Sequence, residues 1–246
     1  MSFQDHFSTK AAVYAQARPT YPVALFDRLA ALAPHRELAW DCGAGNGQAS
    51  LGLADHFQHV YATEPSPDQL AQATAHPRVT YAQSAETAPA LAKASADLVT
   101  AAQAAHWFDR DRFYAEVHRV LRPEGVVALW TYELCRVAPD IDAAVFRFYT
   151  EVVGPFWPPE RRHTETGYRE FEFPFAELPF PEFAMQHDWT LAQFATYLRT
   201  WSAVTRFSKA RGIDPVGALE AELHPLWGPA SRRIVWPLSG RLGRQV

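Results

Sequence analysis

Three glycines alternate with other residues in the segment Asp41–Gly47, between an apolar stretch and an amphipathic one. The nearly all-apolar segment Leu38–Cys42 indicates a buried strand, and Gln48–Phe57 indicates the helix that follows. Glycine adopts positive φ angles and lets a ligand approach the backbone, and the first N–H groups of a helix have no intrahelical acceptor. The segment therefore predicts a strand, a turn and a helix N-terminus that hold a small molecule at the strand end.

The spacing of these glycines distinguishes two kinds of nucleoside-binding site. Dinucleotide sites carry G-x-G-x-x-G, whose third glycine lets the helix pack closely on the strand. In this chain the glycines follow G-x-G-x-G, with Gln48 where the dinucleotide pattern has glycine and Asp41 two residues before the first glycine. The segment resembles the first motif of class I S-adenosylmethionine-dependent methyltransferases, (D/E)-x-G-x-G-x-G, at every fixed position.

The first half of the chain alternates predicted strands and helices. Strands are predicted at Leu38–Cys42, His59–Thr63, Arg78–Gln83, Ala96–Ala102 and Val126–Trp130, and helices at Tyr21–Ala33, Gln48–Phe57, Ser66–Leu70 and Arg110–Leu121. Strands separated by helices pair in parallel with right-handed crossovers, and ligands bind at their carboxyl ends. We expect Gly43, Glu64 and Gln103, each at or next to a strand end, to meet at one crevice.

The composition changes after Tyr132. Residues 154–181 are rich in proline and aromatic residues, which favours an ordered cap over a linker. A strand at Phe183–Trp189, helices at Leu191–Val204 and Pro215–Leu223, and a final strand at Arg232–Leu238 follow. We predict an N-terminal arm and helix at 1–34, a cofactor-binding core at 35–135, a cap with the sixth strand at 136–204, and a last helix and final strand at 205–246.

Other segments extend the resemblance. Gln103–Asp109 and Val120–Gly125 are similar to later motifs of the type 11 methyltransferases. The arm Tyr14–Pro22 and the late segment Val235–Leu238 are similar to the branch around trans-aconitate methyltransferase. The resemblance implies an α/β, Rossmann-like, doubly wound sheet of seven strands, mostly parallel with the last strand antiparallel, a C-terminal cap insertion, and S-adenosylmethionine as cofactor.

The resemblance assigns the adenosine half of the cofactor to the second and third strand ends. Glu64 would accept hydrogen bonds from the ribose hydroxyls, as an acidic residue does at the corresponding strand end in dinucleotide sites. Pro65 would pack on the adenine, and Ala85 and Glu86 would border its edge. The alternative for both glutamates is a solvated surface charge.

The methionyl half is assigned to the first loop, the fourth strand and the N-terminal arm. The implied residues are Tyr14, Arg18, Asp41, Gly43, Ala44, Gly45 and Gln103. Asp41 would receive the ammonium group, directly or through water, and Arg18 suits a carboxylate because its guanidinium can donate two hydrogen bonds. Exposure to solvent is the alternative for Arg18.

Methyl transfer leaves no obligatory catalytic residue in the sequence. An in-line displacement requires two aligned partners and the exclusion of water, and a base only when the attacking atom carries a proton. His106 is the candidate general base beside the crevice, and packing against Trp107 is its alternative role. No cluster of cysteine and histidine predicts a metal site.

The cap is expected to select the methyl acceptor. Trp157, Tyr168 and Trp201 could line an apolar pocket, and Arg161 or Arg162 could meet an acid. The alternative is that these aromatic residues form the core of the cap and the arginines face water. By resemblance the acceptor is a small molecule, for example a carboxylic acid.

Charge and composition exclude several other functions. The net charge of −4 argues against broad electrostatic binding to nucleic acid. The polar N-terminus and the lack of a membrane-spanning apolar run predict a cytoplasmic protein, in which the two cysteines stay unpaired. An NAD(P)-dependent oxidoreductase and a non-catalytic S-adenosylmethionine-binding protein remain as alternatives.

Overall fold

A mixed β-sheet organises the computed structural model, which describes residues 19–245. In this range the sheet has eight strands in the order β3-β2-β1-β4-β5-β8-β6, and β7 also pairs with β8. The strands are β1 Leu38–Cys42, β2 His59–Glu64, β3 Val79–Gln83, β4 Ala96–Ala102, β5 Leu121–Tyr132, β6 Ala176–Leu178, β7 Ala184–Trp189 and β8 Arg232–Arg244. The first five strands pair in parallel and β8 is antiparallel to its neighbours, which confirms the predicted Rossmann-like class.

Helices cover the sheet and build the cap. They are α1 Val23–Leu32, α2 Gln48–Ala54, α3 Pro67–Ala71, α4 Arg110–Val120, α5 Pro139–Arg147, α6 Arg162–Glu165, α7 Leu191–Arg199, α8 Ser202–Arg211 and α9 Val216–Trp227. Local sequence fixes several of their first turns. The Ser66 side chain accepts a hydrogen bond from the Gln69 N–H at 3.3 Å, and Pro67 occupies the first position of α3. No helix in residues 19–245 has both the length and the apolar character needed to cross a bilayer.

The two faces of the sheet bury separate apolar clusters. On one face, Leu98 of β4 packs in a cluster with Leu29 of α1 and with residues of the cap. On the other face, Val99 lies in a cluster with Phe113 and Val117 of α4. Successive residues of one strand thus point to opposite, buried faces, as expected of a sheet that is covered on both sides.

The boundaries of β5 and β8 differ from the sequence-based expectation. The helix was expected to end at Leu121 and the next strand to begin at Val126. Strand β5 instead begins at Leu121, which pairs with Ala96, and the register of β4 and β5 shifts before it resumes at Val126. The predicted end of the final strand at Leu238 is also wrong, because β8 continues to Arg244 along β5. Strand β6, which pairs with the end of β8, was not predicted.

The helix predicted over Leu191–Val204 is two helices. Helix α7 ends at Arg199 and α8 begins at Ser202, because Trp201 between them has an extended backbone with ψ 134°. The Trp201 ring is buried and lies 5.6 Å from the ring of Trp157, centroid to centroid. The chain therefore turns where this side chain enters the core of the cap.

Candidate functional site

The loop after β1 bends toward the end of β2. The N–H groups of Gly43 and Ala44 both donate to the Thr63 carbonyl, at 2.8 and 3.0 Å. The N–H of Gly45 donates to the carboxylate of Glu64 at 2.9 Å. The carboxyl ends of the two strands are thereby joined, and the glycine loop lies over them.

The glycines of this loop serve different purposes. Gly43 and Gly45 have φ angles of 69° and 57°, which side chains rarely allow. A Cβ atom on Gly43 would lie 2.5 Å from the Cβ of Ala104, so packing also requires glycine there. A Cβ on Gly45 would meet only Gln69, at 3.9 Å. The space over Gly45 is therefore open to a ligand.

Glu64 is a buried carboxylate held at the end of β2. It is 7% exposed, and its two oxygens accept hydrogen bonds from the N–H groups of Gly45 and Ser66, at 2.9 and 3.0 Å. The next residue, Pro65, is partly exposed, and its carbonyl accepts a hydrogen bond from Gln83. The carboxylate is thus pre-oriented beside the glycine loop, where the sequence predicts the ribose hydroxyls.

Asp41 lies beneath the loop and supports it. Its carboxylate accepts hydrogen bonds from Ser50 Oγ of α2 at 2.6 Å and from Thr100 Oγ1 of β4 at 2.8 Å. Burial raises the pKa of Asp41 to about 6, although these hydroxyl donors act in the opposite direction. Because each carboxylate oxygen has a hydroxyl donor and the residue is fully buried, the geometry favours support of the loop over direct contact with an ammonium group.

Gln103 directly follows β4 and has an unusual backbone conformation. Its φ angle is 56°, and its side-chain oxygen accepts a hydrogen bond from Thr131 Oγ1 at 3.0 Å. The Nε2 atom is buried and has no hydrogen-bond partner within residues 19–245. A buried, unpaired donor costs about 1–3 kcal/mol, and non-glycine residues in this φ region concentrate at functional sites. An acceptor atom on a bound cofactor would remove that cost.

The residues predicted at the adenine edge lie at the end of β3. Ala85 is exposed, and its carbonyl accepts hydrogen bonds from Thr63 Oγ1 at 3.5 Å and from the Cys42 thiol at 3.6 Å. Glu86 forms an ion pair with Arg112 at 3.4 Å. Ala85 is thereby tied to the ends of β1 and β2, and Glu86 to α4. Tyr14 and Arg18 lie outside the described residues.

Both cysteines are unpaired thiols within the described residues. Cys42 and Cys135 are buried, and burial raises the pKa of each thiol. A thiol held in its neutral form is a poor nucleophile. The geometry therefore indicates that Cys42 is a small packing residue beneath the turn rather than a nucleophile.

His106 packs between two aromatic rings. Its ring centroid is 4.8 Å from that of Trp107 and 6.1 Å from that of Tyr168, and its Nδ1 lies 3.1 Å from the Tyr168 hydroxyl. Burial, together with the nearby Arg161 and His163, lowers the pKa of His106 to about 3. An imidazole with this pKa is a weak base at neutral pH, so the geometry favours the packing role.

The cap places an aromatic cluster beside this edge of the sheet. Trp201 lies 5.6 Å from Trp157 and 5.8 Å from Tyr149, and Tyr168 is fully buried. Arg161 is partly buried against these rings, whereas Arg162 is exposed. Most of the aromatic residues thus form the core of the cap, and the two arginines have different environments.

Sequence reasoning missed four residues of the site. They are Ser50, Thr100, Thr131 and Tyr149. Asp41 pairs directly with Thr100 in the register of β1 and β4, so the strand order would have indicated that contact. No sequence signal identified Tyr149, which meets Arg161 only through the fold of the cap.

The chain is similar to proteins that are named as methyltransferases. A family described as a methyltransferase domain matches residues 40–129, which contain Asp41, Glu64, Gln103 and His106. A Dictyostelium discoideum protein named as a methyltransferase is 33% identical over 225 residues, covering 90% of this chain and 86% of that protein. A solved structure described as a type II methyltransferase from Anaeromyxobacter dehalogenans is 48% identical, with a TM-score of 0.88, covering 93% of this chain and 98% of that one.

Other similarities cover only part of the chain or are low in sequence identity. Proteins of Mycobacterium tuberculosis that are named as methyltransferases are 38% identical over 125 residues, and the match spans 50% of their length. A solved structure from Anabaena variabilis, described as a methyltransferase from an antibiotic biosynthesis pathway, is 19% identical with a TM-score of 0.55. At that identity the likeness concerns the fold alone.

Proposed function

The chain belongs to the S-adenosylmethionine-dependent methyltransferases, and from this premise we propose that it methylates a small molecule held between the glycine loop and the cap. S-adenosylmethionine supplies a methyl group bound to a cationic sulfur, which leaves by in-line displacement. The protein must therefore hold the cofactor, align an acceptor with the methyl carbon and exclude water. Membership of this family explains the glycine loop, so the alternative of an NAD(P)-dependent oxidoreductase is set aside.

One observation carries the cofactor-binding part of the proposal. The space over Gly45 is open, the fixed carboxylate of Glu64 lies beside it, and Gln103 at the end of β4 has a buried donor without a partner in the described residues. Backbone N–H groups, a carboxylate and an amide donor match the mixed polar groups of an adenosyl amino acid. The residues present therefore fit the cofactor.

We assign the parts of the cofactor to these residues. Glu64 binds the ribose hydroxyls, Pro65 packs on the adenine, and Ala85 and Glu86 border it. Gly43, Ala44, Gly45 and Gln103 hold the methionyl part, with Asp41 supporting the loop from below. Tyr14 and Arg18 are proposed to cover the methionyl end, on the resemblance of the arm alone.

The acceptor side of the proposal depends on the cap. In this proposal the aromatic residues around Trp157 keep water away from the acceptor. His106 is neutral because its pKa is lowered to about 3, and its Nδ1 lies within hydrogen-bond distance of the Tyr168 hydroxyl. A carboxylate acceptor needs no base, because its attacking oxygen carries no proton. A small carboxylic acid is therefore compatible with the absence of a strong base at His106.

Calorimetry with S-adenosylhomocysteine, the demethylated product, tests the cofactor site. The variant Glu64→Gln keeps the size of the side chain and removes its charge, and we expect about a tenfold or larger loss of affinity. Glu182→Gln is the control, because Glu182 is exposed between β6 and β7. Equal affinity of wild type and Glu64→Gln would remove Glu64 from the ribose site.

A further inference from the structure

A guanidinium group lies beside the carboxyl end of β4. The 3-10 turn Pro159–Arg161 packs against the 3-10 turn Ala105–Trp107, which follows Gln103. The charge of Arg161 acts on His106 and on Tyr168, whose side chains lie at the same edge. Arg161 thus lies where the cap packs against the turn that follows β4.

The immediate surroundings of Arg161 are aromatic. The guanidinium carbon lies 4.8 Å from the centroid of the Trp157 ring, in cation–π geometry. Its Nε donates a long hydrogen bond of 3.5 Å to the Tyr149 hydroxyl, and that hydroxyl donates to Glu165 at 2.5 Å. The Tyr149 hydroxyl therefore lies between Arg161 and the carboxylate of Glu165.

Arg161 has no carboxylate within ion-pair distance in residues 19–245. Other partly buried arginines differ: Arg199 pairs with Asp214 at 2.8 Å, and Arg241 pairs with Glu177 at 2.5 Å. Burial lowers the pKa of Arg161, but the hydroxyls of Tyr149 and neighbouring tyrosines raise it by more, so the group stays charged. A charge removed from water without a counter-ion is unfavourable unless an anion arrives to pair with it.

We propose that Arg161 binds a carboxylate of the methyl acceptor, with Trp157 and Tyr149 as the wall against which an aromatic or other planar part of the acceptor packs. The inference rests on the proposed function and specifies its acceptor class. Arginine suits this role because its planar fork donates two parallel hydrogen bonds to a carboxylate. The neighbouring residue Arg162 is exposed to solvent, and the proposal gives it no part in binding the acceptor carboxylate.

Binding of benzoate tests the proposal, since this probe combines a carboxylate with a flat ring. Calorimetry is performed on the protein alone and on the complex saturated with S-adenosylhomocysteine. We expect wild type and Arg162→Gln to bind benzoate equally, and Arg161→Gln to bind it about tenfold or more weakly. Arg161→Lys should recover part of the affinity because it restores the charge without the fork. The uncharged benzamide should bind all four proteins as weakly as benzoate binds Arg161→Gln.

Chemical modification of the wild-type protein tests the same role without requiring that a variant folds. Phenylglyoxal modifies accessible arginines, and peptide mass spectrometry locates the modified residue. Benzoate should slow the modification of Arg161 severalfold and leave that of Arg162 unchanged. Equal protection of both arginines, or no protection of either, would overturn the proposal.

The two proposals fail in different ways. Affinity for S-adenosylhomocysteine should be the same in wild type and Arg161→Gln, because Arg161 is assigned to the acceptor. Loss of that affinity in Arg161→Gln, or equal benzoate binding in wild type and Arg161→Gln, contradicts the role of Arg161. Failure of wild type to bind S-adenosylhomocysteine contradicts the proposed function instead, and the titration of benzoate into the protein alone still reports on Arg161.

Discussion

Asp41 shows how one carboxylate makes stability depend on pH. Burial raises its pKa from 3.8 to about 6, so the folded state favours the protonated form. The stability that Asp41 contributes is therefore fully present below pH 3.8 and is lost as the pH rises through about 6. The shift corresponds to a loss of about 3 kcal/mol between these limits.

Replacement of Asp41 by asparagine should remove this dependence. The amide of Asp41→Asn carries no charge and can still exchange hydrogen bonds with Ser50 and Thr100. The free energy of unfolding of the variant, relative to wild type, should therefore increase between pH 4 and pH 7 by up to about 3 kcal/mol. Urea titrations at a series of pH values measure this difference. A difference that stays constant with pH would show that Asp41 does not titrate as inferred.

Gly45 allows the effects of backbone strain and of ligand access to be separated. Gly45 and Gly212 have φ angles of 57° and 72°, and neither would bring a Cβ atom into close contact. Both alanine variants should lose about 1–2 kcal/mol of stability through strain. Gly45→Ala should in addition weaken S-adenosylhomocysteine about tenfold or more in calorimetry, since its methyl group occupies the proposed binding space. Equal affinities of the two variants would place the ligand elsewhere.

At the scale of the elements, strand β8 depends on a glycine in its pairing with β5. A Cβ atom on Gly240 would clash with the Leu129 carbonyl and lie 2.9 Å from the Cα of Trp130. Gly240→Ala should therefore separate the two strands and lower stability by about 2 kcal/mol or more. Gly217→Ala is the matched control, because this exposed glycine lies in α9 with open space around it and alanine should raise stability by up to about 1 kcal/mol. Thermal unfolding of both variants checks the opposite signs.

The elements also show what could be predicted from the sequence. The bounds of β1 and β4 were predicted correctly, because each is a short apolar run between polar or glycine-rich residues. The bounds of β5 were not, since Leu121–Gly125 has the composition of a turn and its pairing with Ala96 depends on the neighbouring strand. The break at Trp201 was missed for a similar reason, because only packing in the cap requires it.

In the site, too, some features could be predicted from local sequence and others depend on tertiary packing. Glu64, Gln103 and the glycine loop could be located from strand ends, because parallel strands bring their carboxyl ends to one edge. The hydroxyl partners of Asp41 required the strand order, and the different environments of Arg161 and Arg162 required the cap to be folded. Arg161 and Arg162 are adjacent in the sequence, and no sequence pattern indicates which of them faces the aromatic cluster.

At the scale of the whole molecule, cofactor binding should stabilise the fold as a unit, because the proposed site joins β1, β2 and β4 with the cap. A ligand at 100 times its dissociation constant stabilises a native protein by about 2.7 kcal/mol, which raises the midpoint of thermal unfolding by roughly 5–10 °C in a chain of this size. We expect that increase with S-adenosylhomocysteine and no increase with NADH at the same concentration. NADH is expected to have no effect because Gln48 replaces the glycine that dinucleotide sites carry. An increase with NADH and none with S-adenosylhomocysteine would restore the oxidoreductase alternative. The Glu64→Gln variant should show a smaller increase with S-adenosylhomocysteine, whereas Glu182→Gln should show the same increase as wild type.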